Sequence, residues 1–309
     1  MQRRPASSFL CAALFALQAA VALAQGIPTA AARHLFDFAG GGAGALSLPT
    51  DVAVGNGGRV YVVDGGNHRV VAFSNSGQYL FRFGHQGSGK GEFRDPVGIG
   101  TDGQGRVYVA DSGNHRIQVF DSSGGFLNTF AVSEGGKPVR PIDVEPDGQG
   151  KTLFVTGNNN HKVMTFSASG QLLRQWGGEG VSDFEFRYPA TMALSPKGLL
   201  YVVDVLNTRV QVFDGDGRRG FRVGGWGVLP GQFFRPKGVA LDSRGFVYVS
   251  DSYLEVIQVF DTSYRLQHVL GDAGKPRRFS APVGLAIDGG DRLYVVEMLA
   301  NKVSVHALR

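Results

Sequence analysis

Three histidines, His68, His115 and His161, each follow an asparagine and recur at steps of 47 and 46 residues. Imidazoles repeated in this way invite a three-histidine zinc site. An acid and a base five residues apart recur as Asp64/Arg69, Asp111/Arg116 and Asp204/Arg209, with Glu297/Lys302 as a near match. The chemistry open to such a pair is a charge-assisted hydrogen bond. Arginines stand just ahead of a proline at Arg94, Arg140, Arg187 and Arg235, with Arg277 and Arg278 in a sixth place, and a guanidinium suits the two-pronged grip of a carboxylate or phosphate. Lastly, Asp51, Asp143 and Thr191 share a column that holds glycine at Gly98, Gly238 and Gly284, and Glu145 stands in a column otherwise of glycine or alanine. Polar groups there would line a water-filled channel or hold a ligand or cation.

Whether these groups meet depends on the elements that carry them. VYVADSGNHRIQVF, from Val107 to Phe120, reads as two short strands rich in β-branched and aromatic residues, joined by a polar turn. The pattern returns from Val60, Leu153, Leu200, Val247 and Leu293. The place of Asp111 is taken in turn by Asp64, Asp111, Gly157, Asp204, Asp251 and Glu297, at steps of 46 or 47. A period held over six copies defines a repeat architecture. Each period carries four strand signals, in the second copy Val97 to Thr101, Val107 to Ala110, Ile117 to Phe120 and Phe126 to Phe130, separated by Gly-, Asp- and Asn-rich turns. Between sheets run connectors such as GHQGSGKGEFRDP, and each ends in the proline that opens the next inner strand: Pro49, Pro96, Pro141, Pro189, Pro236 and Pro282. Four-stranded sheets repeated radially make a propeller.

The expected fold is therefore all-β: six blades of four antiparallel strands, at roughly 49–84, 96–131, 141–177, 189–224, 236–271 and 282–306. The last copy supplies only three strands. Residues 33–39 resemble the fourth strand of the first blade, so the N-terminal strand is expected to complete the sixth blade and close the ring.

NHRV at Asn67, NHRI at Asn114, the glycine-rich connectors and inner strands such as PVGI at Pro96 resemble NHL repeats over essentially the whole chain after its first residues. The resemblance implies a six-bladed β-propeller. It also implies a spread of functions, from RNA-binding modules, sensor domains and interaction scaffolds to peptidyl-hydroxyglycine amidating lyases, so function has to be argued from the site. The lyases would place metal-binding histidines near the channel mouth with a tyrosine and an arginine, whereas here no histidine begins an inner strand.

In a six-fold ring, histidines at equivalent turn positions lie about 12 Å apart, against zinc–nitrogen distances of roughly 2.0–2.1 Å. Turn histidines are the expectation. The Asp…Arg pairs are expected to be structural staples, relaxed at Gly157 in the third blade and Val256 in the fifth. The arginines before the prolines form either an incomplete basic ring on the connector face or a seal in which they stack on Phe93, Phe186, Phe234 and Phe279. The P-loop-like run from Gly84 lacks its final Ser or Thr and a following helix and reads as a linker. DGDG at Asp214 lacks the other ligands of a calcium loop.

Residues 1–24 read as a cleavable signal peptide: Arg3 and Arg4, an apolar run from Phe9 to Leu23, and Ala22-Leu23-Ala24 before Gln25. Cys11, the one cysteine, lies inside it without a convincing lipobox, so the remainder has no disulfide and no thiol chemistry. The chain has 31 basic and 26 acidic residues. Losing Arg3 and Arg4 leaves 31 − 2 = 29 against 26, too mild an excess for a nucleic-acid partner. The reading is an exported, secreted or periplasmic, monomeric scaffold without cofactor or catalytic residues. Its partner, a protein or an anionic small molecule or polysaccharide, would sit on the connector face, with the central carboxylates setting polarity at that mouth. The alternative is a lyase or hydrolase that resembles the amidating lyases or lactonase propellers and depends on zinc or calcium.

Overall fold

Strands such as VYVVD (Val60–Asp64) and RVVAF (Arg69–Phe73) are buried at every residue, which a sheet packed on both faces requires. A computed structural model, which describes residues 28–42, 44–218 and 220–308, places six four-stranded antiparallel sheets around one axis. The second blade has strands Pro96–Thr101, Val107–Asp111, Arg116–Phe120 and Phe126–Ala131, in spatial order from the inside out. All six inner strands begin at the prolines named above. Residues 1–24 and Cys11 lie outside the described residues. Among the described residues, no helix is long and apolar enough to cross a membrane.

The apolar core is divided into six clusters, each wedged between two neighbouring blades. Ala53, Tyr61, Val63 and Val70 of the first blade pack on Ile99, Val107, Val109 and Phe120 of the second. Phe38, Tyr294 and Val303 pack on Val52, Val62 and Phe73 where the ring closes. Fully burying one such side chain is worth roughly 1.5–3 kcal/mol, so each blade depends on both neighbours.

Closure follows the sequence reading. The strand Arg33–Phe38 pairs antiparallel with Lys302–Ala307 as the outermost strand of the sixth blade. One step earlier, Thr29–Ala30 pairs in parallel with Leu266–Asp272 on the outside of the fifth blade. The N-terminal segment therefore clasps two blades. The connectors are of two kinds: the runs before the second, fourth and fifth blades carry an isolated bridge ending on Phe93, Phe186 or Phe233, while those before the third and sixth are short hairpins, Ser133–Glu134 with Lys137–Pro138 and Gly271–Asp272 with Lys275–Pro276.

Candidate functional site

The repeated acid–base pairs are staples. Arg69, Arg116 and Arg209 donate through Nε to Asp64, Asp111 and Asp204 at 2.7, 2.7 and 2.9 Å. The same aspartates accept the backbone N–H of Ser47, Arg94 and Arg187 in the preceding connector. The arginines in turn donate to connector carbonyls, Arg116 to Ser88, Gly89 and Glu92. Each pair thus ties a connector to the blade it leads into, and removing one partner strands a buried charge at a cost of roughly 3–5 kcal/mol. In the third blade Gly157 replaces the aspartate and Asn160 Oδ1 lies 2.0 Å from where its Cβ would be; Asn159 takes over and accepts the Arg140 N–H at 2.8 Å, while Lys162 pairs with Glu134. In the fifth, Asp251 has no arginine five residues on and accepts the backbone N–H groups of Phe234, Tyr253 and Leu254 instead. Lys302 bridges Glu297 at 3.5 Å and Asp37 of the closing strand at 2.7 Å.

The histidines serve the same seams. His68 and His161 adopt left-handed backbone, and their Nδ1 atoms accept the N–H of Asp95 and Tyr188, the residues just before the next inner-strand proline. His115 Nδ1 is buried without a hydrogen-bond partner.

Asp51, Asp143, Glu145 and Thr191 come together in one central cavity of about 380 Å³. The innermost strands are sheet edges, so their backbone N–H groups face the axis unpaired. The carboxylates satisfy some of them across the blade boundary: Asp51 Oδ2 accepts from Ile99 at 3.0 Å, Asp143 Oδ2 from Met192 at 2.7 Å and Glu145 Oε1 from Leu194 at 3.2 Å. Thr191 Oγ1 donates to the Lys237 carbonyl at 2.6 Å. The glycines of the same column are obligatory neighbours, since a Cβ on Gly98 would lie 2.5 Å from Asp143 Oδ1 and one on Gly284 2.2 Å from Asp51 Oδ1. Burial, with the Asp143 charge close by, drives the Asp51 carboxyl well above the usual range. Burial likewise raises Asp143 to about 7, and burial plus the Asp143 charge raises Glu145 to about 8.

Two expectations are corrected here. The cavity runs from the third residue of the inner strands to the turns after them, Pro196, Asp242, Ser243, Asp288 and Gly289. It therefore opens on the face opposite the connectors, and the carboxylates do not set polarity at the connector mouth. The strand direction, entering at the proline and leaving at the turn, was the signal that could have revealed this. Nor is Phe234 the sealing ring of its connector: Phe233 is fully buried in the place of Phe93, Phe186 and Phe279, and it is Phe233 that lies under Gly224.

Arg94, Arg140, Arg187 and Arg235 are exposed. Arg140 Nη2 lies 3.9 Å from Asp95 of the neighbouring blade's connector, which places the residues before adjacent prolines within reach of each other around the axis. Arg277 stacks over Phe279 at 5.6 Å, so the seal reading describes that arginine. On the same connector face, Leu48, Tyr188, Leu206, Tyr253 and Leu299 are exposed, Tyr253 and Leu299 to 63% and 66%. They occupy connector ends or hairpin turns. Tyr253 lies against Phe234 with ring centroids 4.2 Å apart.

A model of the NHL repeat matches residues 46–73 and 93–120. No curated protein sequence matches the chain. Among solved structures, a gluconolactonase of Xanthomonas campestris superposes with a TM-score of 0.67 at 16% identity, over 92% of this chain and 97% of that one. A streptogramin B lyase gives 0.61 at 14%, over 84% and 79%, and Kuenenia stuttgartiensis hydrazine synthase 0.60 at 11%, over 84% and 95%. At these identities the likeness is one of fold.

Proposed function

Because the chain is an NHL-repeat six-bladed β-propeller, an architecture that presents rigid surfaces without prescribing a chemistry, we propose that it is an exported, monomeric, non-catalytic scaffold that docks an acidic protein partner on its connector face. The observation that carries this reading is the company the arginines keep. Arg94, Arg140, Arg187 and Arg235 have exposed side chains that take no part in the staples, on the same face as the exposed side chains of Leu48, Tyr188, Leu206, Tyr253 and Leu299. A face that exposes both apolar side chains and arginines matches the make-up of protein interfaces, where aromatic residues and Arg are enriched. A small anionic ligand would make little use of the apolar side chains.

The alternative, a metal-dependent lyase or hydrolase, would have to work in the central cavity. Its residues do not fit a resident metal. Of its five carboxylates, Asp51, Asp143 and Glu145 each have an oxygen committed to a backbone N–H group, and Asp242 and Asp288 are paired with Arg244 and Arg292. Among the described residues, the lining contains no histidine, and no group of three His, Cys, Asp or Glu is arranged to hold an ion.

The test is the triple variant Arg94→Ala, Arg187→Ala, Arg235→Ala. It is expected to keep the wild-type circular dichroism spectrum and Tm and to lose at least tenfold in affinity for an acidic, leucine-containing peptide probe, with a weaker dependence on salt. Unchanged affinity removes the proposal. Stoichiometric zinc or calcium in the purified protein, measured in parallel, would favour the enzyme.

A further inference from the structure

A second cleft lies on the opposite face, between the first and second blades, and its origin can be read from the repeat. The turn after each inner strand begins with Asp102, Asp147, Asp242 and Asp288 in the second, third, fifth and sixth blades and with Ser195 in the fourth. Three of these aspartates anchor an arginine of their own turn and a tyrosine of the following strand. Asp102 Oδ2 accepts from Arg106 Nε at 2.6 Å and Tyr108 Oη at 2.9 Å; Asp242 from Arg244 at 2.8 Å and Tyr248 at 3.3 Å; Asp288 from Arg292 at 2.7 Å and Tyr294 at 3.2 Å.

The first blade keeps the arginine and the tyrosine, as Arg59 and Tyr61, but has Gly55 in place of the acid. With no carboxylate between them, Tyr61 Oη donates to the Ser122 carbonyl at 2.8 Å, and Arg59 donates to the same carbonyl and lies over the Phe81 ring. The vacated space opens into a cleft of about 450 Å³. Its other walls are the amides of Asn56, Asn75 and Gln104, the Ser74 hydroxyl and the exposed Leu80. A half-buried arginine that has lost the acid its repeat supplies is set up for a carboxylate from elsewhere. The surrounding amides and hydroxyl suit a ligand that carries many hydroxyls.

We propose that this cleft binds an acidic sugar, its carboxylate occupying between Arg59 and Tyr61 the place that Asp102, Asp242 and Asp288 hold in their own blades. The site is independent of the connector face. It also predicts its own inhibitor: an aspartate at residue 55 would be an internal copy of the ligand's carboxylate. The backbone there suits a side chain, since Gly55 has φ −90°, and the Tyr61 ring, 3.1 Å from the added Cβ, has to move by only a few tenths of an ångström.

Titration calorimetry and thermal shift with glucuronate, glucose and acetate test the proposal. Wild type is expected to bind glucuronate and to gain Tm with it, with at least tenfold weaker binding of glucose and acetate. Arg59→Gln should lose at least tenfold in affinity. Gly55→Asp should lose binding altogether while matching or exceeding the wild-type Tm without ligand. Failure of wild type to bind glucuronate, equal binding of glucose or acetate, or undiminished binding in Arg59→Gln would each overturn it, and that last variant decides the matter if Gly55→Asp does not fold.

Discussion

Two titrating residues, the half-buried Glu145 of the central cavity and the fully buried His306, act on the protein's stability from opposite ends of the pH scale. Burial pushes Glu145 up to about 8, against about 4.3 in an unfolded chain. Between these values the folded state keeps a proton that the unfolded state has released, so stability falls as pH rises from about 4 to 8. Glu145→Gln, which retains an acceptor for the Leu194 N–H, should therefore raise Tm at pH 8 and change it little at pH 4; equal shifts at both pH values would contradict this. His306 does the reverse. It is fully buried in the strand position where the other blades have Phe73, Phe120, Phe166, Phe213 and Phe260. Its Nδ1 has no partner, and Phe279 and His34 pack against its ring. Burial, with Arg277, His34 and Lys302 opposing protonation against Asp37, lowers it to about 3. Below its unfolded value of about 6.5 the unfolded chain takes up a proton that the folded chain refuses, and stability is lost as pH falls toward 3, by about 1.4 kcal/mol per unit at most. His306→Phe should raise Tm progressively more as pH falls, more at pH 4 than at pH 5 and least at pH 7, and a variant as acid-sensitive as wild type would refute the assignment.

Among the elements, the closing segment has the largest consequence. Residues 28–38 supply the outer strand of the sixth blade, an added strand on the fifth, and Phe38 in the closing wedge. Losing the Phe38 side chain alone costs about 3–5 kcal/mol, so deleting this segment should lower Tm by about 10 °C or more in a single transition; an unchanged Tm would mean that the ring closes without it. How legible the elements were follows from their physics. Strands, turns and the closure could be read because each depends on local pattern: period-two apolar residues, turn glycines and a missing fourth strand in the last copy. The parallel pairing of Thr29–Ala30 was not legible, since two residues carry no pattern. The exchange of Phe233 for Phe234 came from an extra phenylalanine beside the repeat position. The aspartate–arginine–tyrosine anchors behind Asp102, Asp242 and Asp288 were present in the sequence as a recurring column, but their meaning needed the turn to be folded. So did the significance of Gly55, whose signal is the absence of a side chain.

At the scale of the whole molecule, strand direction decides which groups can act together. Inner strands enter at a proline on one face and leave at a turn on the other, so the exposed arginines and the buried carboxylates, both singled out from sequence, belong to opposite ends of the axis. The connector face pairs exposed arginine with exposed aromatic and aliphatic side chains; the far face has the central cavity and the cleft beside Arg59. On the proposed reading as a scaffold, the two ends are used separately and a protein partner should be met at the connector end alone. The most direct measurement is photo-crosslinking in cells that make the protein, with a benzophenone side chain placed at Tyr253 on the connector face or at Lys197, exposed on a turn of the opposite face. The account predicts a discrete adduct from residue 253 that disappears when Arg94, Arg187 and Arg235 are replaced by alanine, and none from residue 197. An adduct from residue 197 without one from residue 253 would contradict it.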